Sequence, residues 1–327
     1  MPAAQWMRNS IAELRAARSL HRWLRRAALS AIPIAGLSGC GSQCDRPDYD
    51  SSFFVDGGVP WTSGSQHSAS ECVPYCGSGA HDVCFTTEIT GCTAASQSTV
   101  TCHNHYTYCA QSPCGRLPPG LKQVANREQP SLVAAHVADA VRLEGAAVMA
   151  FQTVERELIA HDAPAHLVAR ARSARRDEMR HHATMSRLAA RFGARASAIE
   201  VECLQIRTML ELGIENAAEG CVRETYGAAV AAFQGEWAQD RPIRRAMRVI
   251  ARDEAEHASL GWAIDAWVRP RLQPGERALV EDARQEAGER LLSQARLPVS
   301  LELTTTLGLP DAAASVQLIV ALAPLWS

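Results

Sequence analysis

The chain has 327 residues, of which 47% are hydrophobic and 21% charged, and its formal net charge is −2. This is the composition of an ordinary globular protein, and the length allows two domains. Residues 1–39 hold six arginines and one acidic residue, which leaves 27 basic against 34 acidic residues beyond them. That remainder has no basic stripe, so nucleic acid is excluded as an expected partner.

The N-terminus has the pattern of an export signal. Five of the arginines lie between Arg15 and Arg26, and an apolar run of small residues follows from Ala27 to Gly39. A charged segment followed by a short apolar segment is typical of a secretory signal, and the run is shorter than the roughly 20 residues of a membrane span. We therefore predict that residues 1–39 are a signal peptide.

The signal ends in Leu37-Ser38-Gly39-Cys40, which resembles the lipobox of bacterial lipoproteins. The resemblance implies that Cys40 is lipidated, becomes the mature N-terminus and anchors the protein to a membrane. Gly41 follows the cysteine where an aspartate would favour retention at the inner membrane, so the resemblance points to the outer membrane. We expect a protein of the bacterial cell envelope that faces the periplasm or the cell surface.

Residues 40–114 form a module that is rich in Ser, Gly and Thr and poor in large apolar residues. Such a segment builds little core, and an even number of cysteines in an oxidising compartment indicates a disulfide framework. We predict a small, irregular, disulfide-rich module whose pairing the sequence leaves open. Beyond Cys40, which the lipid would occupy, the eight cysteines are Cys44, Cys72, Cys76, Cys84, Cys92, Cys102, Cys109 and Cys114.

The alternative for this module is a zinc site, because His81, His103 and His105 lie among the cysteines. Export argues against zinc, since thiolates outside the cytosol tend to oxidise. Arg46 is the module's one basic residue against seven acidic ones, which excludes a polyanionic ligand and leaves a protein partner possible.

Residues 115–130 contain Pro-Pro-Gly and Gln-Pro steps, and we interpret them as a linker. The chain from residue 131 predicts an all-α domain of two helical hairpins. The first has helices over about 131–161 and 164–192. In the second, one helix ends near Trp237 and the next begins at Pro242. Asp162-Ala163-Pro164 and Asp240-Arg241-Pro242 each predict a helix start, with Asp as the N-cap. Residues 263–327 predict a further helical extension, with helices over 274–297 and 311–325.

A motif of Arg-Asp-Glu-x-x-His occurs twice in these helices, at Arg176–His181 and again at Arg252–His257. Residues three apart on a helix share a face. Glu178 and His181 therefore present a carboxylate and an imidazole together, as do Glu254 and His257. A matched pair of such motifs, each with a glutamate on the preceding helix, is how helical bundles hold two metal ions.

The two preceding glutamates complete the predicted ligand set. Glu144 lies level with His181 across the first turn and faces an apolar stripe. In the second hairpin we predict Glu219, because it precedes Glu254 by 35 residues much as Glu144 precedes Glu178 by 34. Counting back from the turn favours Glu224 instead, so Glu224 remains the alternative ligand.

With these residues in place, the chain resembles the ferritin-like di-metal carboxylate superfamily over about residues 131–262. The resemblance implies a ferritin-like four-helix bundle that holds two iron ions (or manganese), and the wording of the motif is most similar to the oxygen-activating branch. It also implies that Asp177 and Asp253 hydrogen-bond the ligand histidines, which would fix their tautomers. Four carboxylates and two imidazoles suit iron or manganese.

The resulting prediction is an exported, lipid-anchored oxidoreductase that acts on dioxygen or peroxide as an oxidase, a ferroxidase or a peroxide-handling enzyme. Tyr226, on the face of Glu219, is a candidate redox or hydrogen-bonding residue, although a core tyrosine fits its position equally well. The alternative is an envelope interaction protein with a vestigial bundle, in which the cysteine module binds the partner. Iron storage fits less well, because a lipid anchor and a large N-terminal module would hinder assembly of a shell.

Overall fold

The structure is a computed structural model. It describes residues 49–55, 58–76, 81–82, 85–96, 98–108, 116–122, 129–201 and 206–326. These residues form two compact units that divide at residue 112, a strand unit before it and a helical unit after it. The predicted signal peptide, Cys40 and Cys44 lie outside the described residues. The chain is mostly helical, as predicted, with a small region of strands.

The described part of the strand unit is an antiparallel sheet of five strands. The strands are β1 (Tyr49–Phe54), β2 (Gln66–Ser68), β3 (His81–Asp82), β4 (Phe85–Ser96) and β5 (Thr99–Tyr108), in the order β1-β5-β4-β2, with β3 also paired to β4. The prediction of an irregular module is therefore wrong. Threonine and aromatic residues favour strands, and they outweigh the many Ser and Gly residues on which the prediction rested.

A disulfide joins Cys72, in helix α1 (Ala69–Cys76), to Cys92 in β4. Both cysteines are buried with Val100, and Trp61 and Tyr75 pack against them. A disulfide in this module was predicted from the even cysteine count. The side chains of the other six cysteines of the module lie outside what the structure describes.

The helical unit contains two long hairpins. The first consists of α2 (Leu132–Ala160) and α3 (Ala165–Arg191). The second hairpin begins with α4 (Met209–Glu215), a π-helical segment (Asn216–Arg223) and α5 (Glu224–Trp237), which follow one another without a break. They pair with α6 (Arg241–Val268). Helices α2 and α3 pack together, as do α5 and α6, and α3 also packs on α6.

Local signals place the ends of these helices. Ser131 caps α2 by accepting a hydrogen bond from the Ala134 amide, and Asp240 caps α6 by accepting one from the Ile243 amide. Asp162 is not a cap, contrary to the sequence prediction. It adopts a positive φ of 53° in the turn, and α3 begins only after Pro164.

Three further helices follow the hairpins: α7 (Pro274–Ala295), α8 (Leu301–Leu307) and α9 (Ala312–Trp326). Helix α9 packs on α7 and α5, and α8 packs on α2 and α5. Within the described residues, every individual helix falls short of the length and hydropathy of a membrane span. Helices α8 and α9 have the length and hydropathy of a span only when taken together, and they are bent by 62° relative to each other.

The segment that we interpreted as a linker packs on the helices where it is described. Arg116 and Leu117 are buried, Leu121 bridges to Val201, and the Lys122 carbonyl accepts a hydrogen bond from Arg142. Residues 116–122 are therefore part of the helical unit.

Candidate metal centre

Four helices bring four glutamates and two histidines to one place in the interior of the helical unit. Helix α2 supplies Glu144 and α5 supplies Glu224, while α3 and α6 supply the two repeated motifs. The ligand atoms fall into two overlapping groups, and within each group all of them lie within 4.8 Å of one another. The first group is Glu144, Glu178, His181 and Glu254; the second is Glu178, Glu224, Glu254 and His257.

Each group contains one imidazole, and its Nδ1 atom faces the carboxylates. His181 Nδ1 lies 3.5 Å from Glu144 Oε2, 3.4 Å from Glu178 Oε2 and 3.4 Å from Glu254 Oε1. His257 Nδ1 lies 3.0 Å from Glu178 Oε1, 3.8 Å from Glu254 Oε2 and 3.9 Å from Glu224 Oε2. Glu178 and Glu254 belong to both groups, so the two centres share two carboxylates.

The cluster is withdrawn from solvent. All six residues are at most 3% exposed, and nine of their oxygen and nitrogen atoms form no well-aligned hydrogen bond. Buried polar atoms in proteins nearly always have partners, since leaving one unsatisfied costs roughly 1–3 kcal/mol. Nine such atoms that converge on one point are explained by a cation that they would coordinate.

Two of the carboxyls have raised pKa values. Burial raises the pKa of Glu144 to about 8, with further contributions from the charges of Glu178 and Glu254. Burial also raises the pKa of Glu224 well above its usual value, and the nearby Glu254 adds to the effect. A carboxylate in a dry site beside other carboxylates is costly to ionise unless positive charge is close.

The other two carboxyls have lowered pKa values, and both imidazoles have raised ones. Burial opposes ionisation of Glu178 and Glu254, but the adjacent imidazoles outweigh it and lower both pKa values. The pKa values of His181 and His257 are raised despite burial, because carboxylates surround both rings. Both imidazoles are therefore surrounded by carboxylates that favour a positive charge at this place.

The two motifs are joined by crossed contacts behind the histidines. Nε2 of His181 donates to Asp253 at 3.2 Å, and Nε2 of His257 donates to Asp177 at 3.4 Å. Arg180 contacts both aspartates, at 2.5 Å from Asp177 and 3.4 Å from Asp253. A carboxylate at Nε2 holds the proton there and leaves Nδ1 facing the cluster. Each aspartate thus hydrogen-bonds the histidine of the opposite motif.

Glu219 does not reach the cluster, and Glu224 takes the place predicted for it. The Glu219 carboxylate accepts a hydrogen bond from the Leu117 amide and lies 3.5 Å from Arg223. The spacing comparison failed because residues 216–223 form a π-helix, whose wider turns shift the register from that of a continuous α-helix. Counting back from the turn between α5 and α6 correctly gives Glu224, because the residues counted lie in α5 and not in the π-helical segment.

Tyr226 also lies away from the cluster. Its hydroxyl hydrogen-bonds Ser315 on α9, and burial raises its pKa. An α-helix turns by about 100° per residue, so two residues beyond Glu224 place Tyr226 on nearly the opposite side of α5. Tyr226 therefore packs against the C-terminal helix α9, and its position does not support the predicted catalytic role.

A small cavity adjoins the cluster at Glu144, of the first group, and at Glu254, which both groups share. Leu307 of α8 also lines this cavity. It has room for roughly one or two water-sized molecules. Its remaining lining is mainly apolar: His136, Met185, Ala231, Gln234, Ile243, Met247 and Ile250.

Some residues around the centre were not predicted from the sequence. The Phe151 ring lies 4.9 Å from the His257 ring, and it shields that side of the cluster from water. Its position on the face of Glu144 was a usable signal. Arg116 is buried beside the π-helical segment, and no pattern in the sequence pointed to it.

Comparison of the chain with protein-family models, with curated proteins and with solved structures gave no match.

Proposed function

We propose that this protein binds two iron or manganese ions in a ferritin-like bundle of α2, α3, α5 and α6 and uses them as an oxidoreductase on dioxygen or peroxide. The observation that supports this most strongly is the convergence of nine buried oxygen and nitrogen atoms without well-aligned hydrogen bonds. The repeated Glu-x-x-His motifs and their two upstream glutamates account for every one of those atoms.

The residues fit a pair of divalent ions by charge and by ligand type. Four carboxylates carry four negative charges, which two divalent cations neutralise, so burial of the whole group becomes tolerable. Carboxylate oxygens with one imidazole for each ion suit iron and manganese. Glu144 and His181 would serve one ion, Glu224 and His257 the other, and Glu178 and Glu254 both.

Two redox-active ions at such a centre supply two electrons to one small oxidant. The protein's own residues prepare the site for that exchange. Asp177 and Asp253 keep the imidazole protons on Nε2, so that Nδ1 of each histidine faces the carboxylates. Phe151 and the apolar wall exclude bulk water, which strengthens every electrostatic contact inside the site.

The cavity supports a small substrate. It opens on Glu144 and Glu254, is lined mainly by methionine, isoleucine and alanine side chains, and has room for one or two water-sized molecules. Dioxygen and hydrogen peroxide fit this volume, whereas an organic substrate of drug size needs a pocket of several hundred cubic ångströms. We place the oxidant on the side of Glu144 and His181.

The cellular setting in this proposal is the bacterial envelope, with the chain anchored through lipid on Cys40. The support is the sequence alone: an arginine-rich segment, an apolar run and Leu37-Ser38-Gly39-Cys40. The disulfide between Cys72 and Cys92 agrees with an oxidising compartment. A protein partner of the strand unit also belongs to this proposal.

Rapid mixing tests the activity. Protein loaded with Fe(II) without oxygen is mixed with dioxygen or with hydrogen peroxide, and Fe(II) oxidation and oxidant consumption are followed together. We expect about two Fe(II) oxidised for each oxidant consumed, at least 100-fold faster than free Fe(II) in the same buffer.

The matched control is a Glu178→Ala/Glu254→Ala double variant, which removes both shared carboxylates. We expect it to oxidise Fe(II) at the rate of the buffer. Equal rates in the wild type and the double variant would contradict the proposed activity.

A further inference from the structure

Arg116 is a buried charged residue that lies outside the repeated motifs of the metal ligands. It is 1% exposed, and its guanidinium contacts both oxygens of Glu215 at 2.8 Å and 2.5 Å. A third contact joins Nη1 to Asn216 Oδ1 at 3.3 Å. Two parallel hydrogen bonds from a guanidinium to a carboxylate fix both partners in orientation.

These contacts fall where the helix changes from α to π. Glu215 is the last residue of α4 and Asn216 the first of the π-helical segment. The next residue along the chain adds a third anchor, because the Leu117 amide donates to Glu219 Oε2 at 3.0 Å. Residues 116 and 117 thus hold Glu215 just before the segment, and Asn216 and Glu219 in its first half.

Helix α6 holds the same segment from the other side. Asn216 Nδ2 donates to the Gly261 carbonyl at 2.9 Å. The backbones touch at Gly261, where an added Cβ would lie 2.2 Å from the Gly220 carbonyl oxygen. The π-helical segment is therefore clamped between Arg116 and α6.

The segment ends immediately before a proposed metal ligand. The Glu224 amide donates to the Glu219 carbonyl, which is the five-residue hydrogen bond of a π-helix. If the segment relaxed to an α-helix, its register would shift and the Glu224 carboxylate would turn away from His257.

We infer that Arg116 is a positioning residue: by clamping the start of the π-helical segment, it holds Glu224 toward the metal centre. This inference rests on the proposed function for the metal, although the clamp itself can be tested without metal. It predicts that the second group of ligands, with Glu224 and His257, depends on Arg116. The first group, with Glu144 and His181, does not.

The surroundings allow Arg116 to be replaced without leaving Glu215 alone. Arg207 Nη2 lies 3.3 Å from Glu215 Oε2, and it also pairs with the buried Glu157. Glu215 therefore keeps a cation when Arg116 is lost. The contact with Asn216 Oδ1 is lost with Arg116, while Asn216 keeps its hydrogen bond to the Gly261 carbonyl and Glu219 keeps the Leu117 amide.

Hydrogen exchange of the full chain without metal is the first measurement, on Arg116→Met and Arg116→Lys. The control is Arg142→Met, because Arg142 is also a buried arginine and donates to the carbonyl of Lys122 in the same segment of the chain. We expect both Arg116 variants to exchange amides 216–224 at least tenfold faster, with Lys intermediate, and the control to match the wild type.

Titration with Mn(II) is the second measurement. We expect the wild type to take two ions, and Arg116→Met to keep one while its affinity for the other falls at least tenfold. Unchanged exchange over 216–224 in the Arg116 variants would overturn the inference, as would equal weakening of both ions. If Arg116→Met does not fold, Arg116→Lys carries both measurements.

The two measurements also separate this inference from the proposed function. If the wild type binds no Mn(II) or Fe(II), the proposed metal centre fails and the positioning role fails with it, whatever the exchange shows. Two ions in the wild type with normal exchange in both Arg116 variants would keep the proposed function and overturn the role of Arg116.

Discussion

The carboxylate of Asp253 lies 3.2 Å from Nε2 of His181, although the two residues belong to different copies of the repeated motif. Asp177 makes the reciprocal contact with His257. The two motifs therefore orient each other's histidine across the contact between α3 and α6. This crossed arrangement makes the two halves of the centre interdependent.

We expect Asp253→Asn to weaken metal binding by about 10–100-fold, because an amide holds the His181 proton less firmly than a carboxylate. The measurement is the dissociation constant for Mn(II) by competition with a chelator. Glu256→Gln is the control, since it removes one charge from an exposed position of the same helix. Equal affinity in the wild type and Asp253→Asn would contradict a role for Asp253 behind His181.

Glu224→Ala is expected to lower the metal content from two ions to one, because it removes a ligand of the second group only. Glu219→Ala is expected to leave both ions in place, because Glu219 lies outside the cluster and the π-helical segment is still held at Asn216 by Arg116 and by the Gly261 carbonyl. Elemental analysis of the purified variants compares the two. Loss of an ion from Glu219→Ala with two ions retained in Glu224→Ala would restore the prediction made from spacing.

These two glutamates show how far the sequence predicts the site. Glu144, Glu178, His181, Glu254 and His257 are found by helical periodicity, because each lies on an uninterrupted α-helix. Glu224 is preceded by a π-helical segment, and the pattern of residues 216–223 does not distinguish a π-helix from an α-helix. The choice depends on tertiary contacts, among them Arg116 and the close approach of Gly261 to Gly220.

The strand unit shows the same limit in another form. Its Ser, Gly and Thr content hid the alternation of Thr and apolar residues in β4 and β5, which pair from Phe85–Tyr108 to Ser96–Thr99. The disulfide was predicted from the cysteine count. The pairing of Cys72 with Cys92 needs the sheet, which brings their Cα atoms to 5.8 Å.

Filling the cavity is expected to slow oxidation without removing metal. Ala231→Leu adds volume to a wall of the cavity, whereas Ala232→Leu adds the same volume at a buried neighbour outside the lining. Overpacking costs each variant roughly 1–3 kcal/mol of stability. We expect Ala231→Leu to lower the rate constant with dioxygen at least tenfold, with two ions retained, and Ala232→Leu to leave it near the wild type. Equal rates in both variants would place the oxidant elsewhere.

The cap of α6 gives a pH-dependent prediction. The hydrogen bond from Arg191, together with the Ile243 amide, lowers the pKa of Asp240. A lowered carboxyl pKa stabilises the fold above the unfolded value near 3.8, and this stability is lost as the pH falls through the folded pKa. Asp240→Asn keeps the cap but loses the ion pair, so its deficit against the wild type should be present at pH 7 and shrink as the pH falls below 3.8.

Asp240→Ala loses the cap as well, which costs about 1 kcal/mol. Urea unfolding of the metal-free protein at pH 7 and at pH 3 measures both variants. A deficit of Asp240→Asn that grows on acidification would contradict the direction of the pKa shift.

The metal content of the wild type, matured in an oxidising periplasm and compared with the Glu178→Ala/Glu254→Ala variant, tests the central proposal most directly. We predict about two iron or manganese ions per chain in the wild type and none in the variant, with the same helical circular dichroism in both. A wild type that holds no metal after exposure to Fe(II) and Mn(II), or a variant that holds as much as the wild type, would contradict the di-metal centre.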